Sequence, residues 1–188
     1  MRVIAGAQKG RRLAGPKGRD LRPTADRVKE ALFSIIGARL VDARFLDLYA
    51  GTGSVGIEAL SRGARHVAFV ESNPTTLQIL HMNLDHCGLA GRGEVHACPA
   101  ATFLEEADPD TFDIIFADPP YSTDGGTQVL QLLEHTQRVA QDSMVILEHS
   151  TKLTPPPVSG RLSRRRQYRY GDTSLSIYAL TGAKDRAS

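Results

Sequence analysis

The stretch of this sequence that points most directly to chemistry is FADPPYSTDGG, residues 116–126. An apolar run ends there in the carboxylate of Asp118, and Pro119, Pro120 and Tyr121 follow it. Because proline lacks the N–H that a sheet ladder needs, the strand must end here, and the residue before each proline is held extended. This stiff exit fixes the direction of Asp118 and leaves backbone carbonyls without ladder partners. The alternative is a plain rigid turn, since Asp-Pro and Pro-Pro are common turn formers.

The hydrogen-bond acceptors of this motif suit the exocyclic amine of a nucleobase. The lone pair of such an amine is delocalised into the ring, so the nitrogen is a poor nucleophile. The carboxylate of Asp118 and a backbone carbonyl would bind its two N–H groups and orient the lone pair toward an electrophile. Tyr121 would stack on the ring, which contributes about 1–3 kcal/mol for a base on an aromatic side chain.

A second candidate site lies in DLYAGTGSVG, residues 47–56, where a glycine-rich turn follows a predicted strand and opens a helix. Gly51, Gly53 and Gly56 permit a tight turn and a close approach of the backbone to a ligand. Glu71 stands twenty residues after Gly51, at the end of the next predicted strand, where its carboxylate can accept hydrogen bonds from ribose hydroxyls. The pattern predicts a nucleotide-type ligand, with a loop shaped only by packing as the alternative.

Asp47 separates two interpretations of this loop. The pyrophosphate of a dinucleotide is attracted by free helix N–H groups and repelled by a nearby acid. Asp47 lies four residues before Gly51, where it would instead favour the ammonium group of a methionine moiety. S-adenosylmethionine is therefore the favoured cofactor, while a role for Asp47 as a hydrogen-bonding residue at a strand end remains open.

The elements that position these residues alternate between strand and helix from about residue 41 onward. Five apolar runs read as strands, and their order predicts a parallel sheet with helices on both faces. Asn73 and Pro74 are suited to the N-cap and first position of a helix that ends at Gly88. Two strand-like runs flank Gly171 and Asp172, which predicts a C-terminal hairpin that adds an antiparallel strand. The expected fold is an α/β, Rossmann-like, mostly parallel sheet of seven strands.

The charge of the chain is unevenly distributed. The net charge is +2, but residues 1–22 hold seven Lys and Arg against one acid, and residues 161–170 hold five Arg and no acid. This asymmetry favours a polyanionic partner, with a solvated charged face as the alternative. The Arg164–Arg166 run either contacts that polyanion or protects an edge strand, and the second interpretation is favoured.

Composition narrows the class of protein. The length of 188 residues suits one domain, and no run approaches the 18 apolar residues that a membrane span needs. Cys87 and Cys98 fit no metal spacing, and no secretory signal is visible, so we expect a cytoplasmic protein with reduced thiols and no metal. A monomer is the default expectation for its oligomeric state. The expected organisation is a basic extension at 1–22, a domain at 23–182 and a frayed tail at 183–188. Within the domain, a first helix is expected to be capped by Thr24.

Taken together, these motifs resemble a known family. DLYAGTGSVG with VESN and DPPY is similar to class I S-adenosylmethionine-dependent methyltransferases of the amino-group type. RVIAGAQKGRRL, LRPTADRVKEALFSII and FLDLYAGTGSVGIEALSRGA together resemble the RsmD family, which acts on a guanine N2 of 16S ribosomal RNA. The resemblance extends over essentially the whole chain, and its specific motifs lie in the front and middle.

The resemblance implies three sets of site residues. The target-base motif would be Asp118, Pro119, Pro120 and Tyr121. The cofactor site would be Asp47, Tyr49, Ala50, Gly51, Thr52, Gly53, Gly56, Glu71, Ser72, Asn73, Ala100 and Ala101. The last two stand where many relatives carry an Asp, so adenine would be recognised through backbone groups. The 16S ribosomal RNA would contact Arg2, Lys9, Arg11, Arg12, Arg22, Thr24 and Arg27.

Three alternatives remain open at this point. The first is another amino methyltransferase that acts on adenine N6, cytosine N4 or a protein glutamine, although glutamine enzymes of this type usually carry Asn at the position of Asp118. The second is a nicotinamide oxidoreductase, which Asp47 disfavours. The third is a non-enzymatic RNA-binding module, which would leave the DPPY motif unexplained.

Overall fold

The computed structural model describes residues 1–15, 23–106, 110–120 and 125–182. Within them, eight strands form one sheet in the order β3-β2-β1-β4-β5-β8-β7-β6. The strands are β1 Arg44–Leu48, β2 His66–Val70, β3 Gly93–His96, β4 Phe112–Ala117, β5 Val139–Ser150, β6 Val158–Ser159, β7 Leu162–Tyr170 and β8 Thr173–Leu180. The first five run parallel, and β8 joins β5 antiparallel.

The predicted α/β class and the C-terminal antiparallel hairpin are confirmed. The predicted count of seven strands is one too low, because the two-residue strand β6 pairs with the start of β7. Three prolines precede β6, and a two-residue pairing behind them leaves no periodic pattern in the sequence.

Five α-helices cover the two faces of the sheet within the described residues. They are α1 Pro23–Ile36, α2 Ser54–Ser61, α3 Pro74–Cys87, α4 Ala100–Glu105 and α5 Gly125–His135. The first face carries α1, α2 and α3, whose apolar residues share one buried cluster with Phe45 and Phe116. The second face carries α4 and α5, which share another cluster with Leu46 and Ile115. Both clusters use adjacent residues of the same strands, as expected where side chains alternate between faces.

The boundaries of α3 follow the predicted capping signals. The Asn73 side chain accepts a hydrogen bond from the Thr76 N–H at 3.0 Å, Pro74 begins the helix, and Gly88 ends it at φ 66°. The predicted cap of α1 is wrong, because the helix already begins at Pro23 and Thr24 lies inside its first turn. Proline is favoured at a first helical position, so the start lies before Thr24.

Residues 1–15 form a segment that we call the N-terminal hairpin. Its two arms pair at Arg2 and Arg12, and the Val3 N–H donates to the Arg11 carbonyl at 2.9 Å. Val3 and Leu13 are buried in the core cluster of the first face. The basic front of the chain is therefore packed onto the sheet domain over these fifteen residues. Among the described helices, none is long and apolar enough to cross a membrane.

Candidate active site

The predicted site residues converge at the carboxyl edge of the parallel strands. Leu48, the last residue of β1, pairs with Val70 of β2 on one side and with Ala117 of β4 on the other. The next residues along each strand, Tyr49, Glu71 and Asp118, therefore lie at one edge. This is the edge where open α/β sheets bind their ligands.

The loop between β1 and α2 holds unusual backbone conformations at this edge. Tyr49 has φ 63°, which is rare outside glycine, and such strain is commonly found at functional sites. Gly51 has φ 56°, and a Cβ added there would meet only the Tyr49 carbonyl at 4.0 Å, so Gly51 borders open space. A Cβ on Gly53 or Gly56 would instead lie 2.3 and 2.2 Å from side chains of the core. Gly51 is therefore the glycine placed for ligand approach, while the other two are required by packing.

The carboxylate of Glu71 is held against this loop by three backbone N–H groups. It accepts hydrogen bonds from Gly51 at 2.9 Å and from Ser72 and Asn73 at 2.8 Å. A carboxylate offers about four acceptor positions, so one remains for a ribose hydroxyl without rearrangement. Ser72 itself is exposed, and Asn73 serves as the helix cap.

Asp47 lies beneath the loop rather than on its surface. Its carboxylate is 1% exposed and accepts a hydrogen bond from the Gly56 N–H at 2.8 Å. The pKa of Asp47 is raised to about 7, mainly by burial and also by the nearby charges of Asp118 and Glu71, against the lowering effect of that hydrogen bond. This geometry matches the alternative left open by the sequence, a hydrogen-bonding residue near the strand end.

One carboxylate oxygen of Asp118 has no hydrogen-bond partner among the described residues. This atom, Oδ1, is buried. Burial raises the pKa of this carboxyl to about 6. Ile114 and Phe116 belong to the cluster of the first face, and alternation places Asp118 on that face too. Pro119 is buried and Pro120 is exposed, whereas Tyr121 lies outside the described residues.

An acidic site lies at the carboxyl ends of β1, β2 and β4, and it is formed by Asp47, Glu71 and Asp118. The charges of Glu71 and Asp118 act on Asp47, and the described residues place no basic side chain in contact with Asp118. A positively charged ligand would reduce the repulsion among these carboxylates, whereas a pyrophosphate would be repelled by them. Among the described His, Cys, Asp and Glu side chains, no group is arranged to hold a metal ion.

The remaining predicted cofactor residues surround this acidic site. Ala50 and Thr52 are buried in the loop, and the Ala50 N–H donates to the Val70 carbonyl at 2.9 Å. Ala100 and Ala101 begin α4, whose first turn has no side-chain cap. Backbone N–H groups therefore remain available there, beyond the end of β3.

Two buried polar residues that the sequence did not reveal connect the loop to the N-terminal hairpin. The Asn83 amide donates to the Thr52 carbonyl at 2.9 Å and accepts from the Ala14 N–H at 2.8 Å. The Lys29 ammonium lies 2.9 Å from the Arg2 carbonyl and 3.3 Å from the Ser54 hydroxyl. Asn83 shares a helix face with Leu80 and Leu84, and this polar residue on an apolar face was the available signal.

The N-terminal hairpin is further anchored by Glu58, which is fully buried in α2. Its carboxylate accepts hydrogen bonds from the Ile4 N–H at 2.8 Å and the Ala5 N–H at 2.9 Å. It also forms ion pairs with Lys29 at 3.3 Å and with Arg62 at 2.7 Å. The hairpin is thereby fixed to the helix that follows the cofactor loop.

The predicted RNA-contact residues are distributed over this hairpin and α1. The side chains of Arg2, Lys9, Arg11, Arg12 and Arg27 are exposed, and Arg11 donates to the carbonyl of His86. Arg22 lies outside the described residues, and Thr24 is described only by its place in α1.

Comparison with known proteins places the chain in a family. A family model described as conserved hypothetical protein 95 matches residues 1–179. The chain belongs to this family, the RsmD family. Among RsmD relatives, it is 33% identical to Ribosomal RNA small subunit methyltransferase D of Escherichia coli, over 95% of this chain and 89% of that protein. It is 38% identical to the putative rRNA methyltransferase YlbH of Bacillus subtilis, over 97% of this chain and 100% of that protein.

Solved structures of methyltransferases share this fold. A putative methyltransferase yhhF from Escherichia coli matches with a TM-score of 0.84 and 34% identity, covering 98% of this chain and 99% of that chain. SMU.776, a putative methyltransferase solved in complex with SAH, matches with a TM-score of 0.68, and at 12% identity it shares the fold alone. The predicted class I S-adenosylmethionine-dependent methyltransferase fold is thus confirmed.

Proposed function

We propose that this RsmD-family protein transfers a methyl group from S-adenosylmethionine to the exocyclic N2 of a guanine in 16S ribosomal RNA. The proposed enzyme acts as a monomer on RNA within a small-subunit assembly. The observation that carries the proposal is the buried Oδ1 atom of Asp118, which no described residue hydrogen-bonds, at the edge that also holds the glycine loop.

The acidic site fits the proposed cofactor. S-adenosylmethionine, when bound, supplies an electrophilic methyl group attached to a positively charged sulfur. Glu71 and the open backbone at Gly51 would hold its nucleoside part, and the carboxylate of Asp118 favours its positive charge. The same carboxylates disfavour a dinucleotide, which supports a methyltransferase over a nicotinamide oxidoreductase.

Asp118 performs the chemical role in the target-base motif. Its ionised carboxylate and a backbone carbonyl of the Asp-Pro-Pro stretch accept the two N–H groups of the amine. They draw the lone pair out of the ring and orient it toward the methyl group. Transfer would form the N–C bond as the S–C bond of the donor breaks and a neutral thioether is left. The methylated amine is then acidic, and its proton leaves to Asp118 or to water.

The RNA partner is supported by the names of the relatives and by charge. Both curated relatives named above carry ribosomal RNA methyltransferase in their names, and one specifies the small subunit. The exposed cations of the N-terminal hairpin, Lys9, Arg11 and Arg12, offer phosphate contacts. Asn83 hydrogen-bonds both Ala14 of this hairpin and Thr52 of the cofactor loop. RNA bound to the hairpin would therefore have a fixed position relative to the cofactor loop.

The test is methyl transfer from labelled S-adenosylmethionine to small ribosomal subunits from cells that lack this enzyme, with the modified nucleoside identified by mass spectrometry. We expect N2-methylguanosine in 16S RNA. Asp118→Ala should abolish transfer and retain cofactor binding, whereas Asp113→Asn, at the amino end of the same strand, should leave both unchanged. Label on adenine or cytosine would replace the guanine assignment. Cofactor binding without label in RNA would redirect the search to a protein glutamine acceptor.

A further inference from the structure

The C-terminal hairpin of β7 and β8 extends to the same sheet edge as Asp118. Ala117 of β4 pairs with Leu147 of β5, so Asp118 lies level with the next residue of β5, Glu148. Glu148 pairs with Leu175 of β8, and Leu175 pairs with Tyr168 of β7. Tyr168 is therefore level with Asp118 and three strand spacings away, roughly 14 Å at about 4.8 Å per strand. The residues beyond it approach the tip of the hairpin.

Three residues of β7 share the sheet face on which Asp118 lies. Tyr168 and Tyr170 are half-buried and pack against the core cluster of the first face. Arg166 pairs with Ile177, a member of that cluster, so alternation places its side chain on the same face. We call Arg166, Tyr168 and Tyr170 the tyrosine strip.

The neighbouring arginines differ from Arg166 in what they bind. A register shift separates Arg164 from Arg166, so Arg165 occupies a bulge in the strand. The guanidinium of Arg164 donates to the Pro155 carbonyl at 2.9 Å, and that of Arg165 donates to the Leu180 carbonyl at 3.1 Å. Arg166 is exposed, and nothing within the described ranges binds its guanidinium. Arg164 and Arg165 thus stabilise the fold through backbone hydrogen bonds, whereas the guanidinium of Arg166 is available to bind a ligand.

We propose that the tyrosine strip binds nucleotides that flank the target guanine in single-stranded RNA. The phenol rings would stack on bases and Arg166 would contact a phosphate, the combination by which proteins hold single strands. The separation of about three strands from Asp118 is too large for the target base itself. This inference rests on the proposed function, because it takes the RNA substrate as given. The segment at residues 161–170 has five Arg and no acid, which favours RNA over a protein partner.

The test measures RNA affinity apart from methyl transfer. Full-length variants would be titrated into a short fluorescein-labelled single-stranded RNA that contains one guanine, and anisotropy would give Kd at several salt concentrations. We expect Tyr170→Ala to raise Kd roughly 5- to 150-fold, and Tyr170→Phe, which keeps the ring, to stay close to wild type. Arg166→Ala should reduce the slope of log affinity against log salt by about 0.7. All three variants should bind S-adenosylmethionine like wild type.

Two controls separate the strip from general effects. Arg65→Ala removes an exposed charge at the opposite, amino edge of the sheet and should weaken RNA binding less than Arg166→Ala. Tyr170→Leu keeps apolar volume without a flat ring, so it should also raise Kd, and it keeps the test valid if the alanine variant fails to fold. Equal affinity of the phenylalanine and leucine variants would overturn the inference. Failure of wild type to methylate 16S RNA would instead refute the proposed function, since the binding assay involves no transfer.

Discussion

Replacing Asp118 with Asn is expected to stabilise the protein while it abolishes methyl transfer. Burial raises the pKa of this carboxyl from 3.8 to about 6, so the folded protein holds the proton more tightly than the unfolded chain does. Ionisation of Asp118 therefore opposes folding at any pH above the pKa that this carboxyl has in the unfolded chain. The destabilisation reaches its full size at pH values above the pKa in the folded protein. At 1.36 kcal/mol per pKa unit, the difference corresponds to about 3 kcal/mol as an upper bound. Asparagine has nearly the same shape and carries no charge.

Urea unfolding of wild type and Asp118→Asn at two pH values measures this effect. At pH 8 the variant should gain up to about 3 kcal/mol, and at pH 5 the gain should fall to roughly half because wild type is then largely protonated. Loss of stability at both pH values would show that the carboxylate is compensated in the folded protein and would refute the reasoning. Retained methyl transfer would refute the role of Asp118 as the acceptor of the amine.

Four further perturbations test other parts of the structure. Wild-type transfer should fall about tenfold per pH unit below pH 6, as Asp118 takes up a proton; a flat profile would exclude that carboxylate from the reaction. Glu58→Ala should lower the free energy of unfolding by about 3–5 kcal/mol in urea, because a buried lysine loses its partner; a change below 1 kcal/mol would contradict the anchoring role. Gly56→Ala should cost about 1–3 kcal/mol in thermal unfolding, since its Cβ would lie 2.2 Å from Phe69; a neutral result would mean that the ring moves freely. The double variant of Lys9 and Arg12 to Ala should weaken RNA binding and reduce its salt slope by about 1.4 without changing the melting temperature; unchanged binding would remove the N-terminal hairpin from the RNA interface.

The parts of the fold that could be predicted are those with local signals. Short runs of apolar residues predicted all five parallel strands. Asn73 and Gly88 predicted the two ends of α3 through their own conformational preferences. The convergence of Glu71 and Asp118 followed from topology, because parallel strands that are neighbours end at one edge. Fold class and the position of the site were thus accessible from residue types and spacing.

The parts that could not be predicted depend on distant partners. The N-terminal hairpin has little periodicity because its backbone groups are satisfied by Glu58 and Asn83, which lie more than fifty residues away. The left-handed conformation of Tyr49 leaves no trace in residue type, since a non-glycine residue there is held by its surroundings. The burial of Asp47 beneath the loop likewise depends on how α2 packs over β1. The sequence was therefore least informative about hydrogen bonds between polar groups that lie far apart along the chain.

The docking of the N-terminal hairpin has a consequence for how the protein is made. Its residues leave the ribosome before their partners Glu58 and Asn83, which follow only after more than forty further residues. Chains are synthesised at about 5–20 residues per second, so the basic segment stays without its anchors for seconds. The ordered array of Lys9, Arg11 and Arg12 then arises only once α2 and α3 exist. That surface is created by folding, and a peptide of the same fifteen residues would not reproduce it.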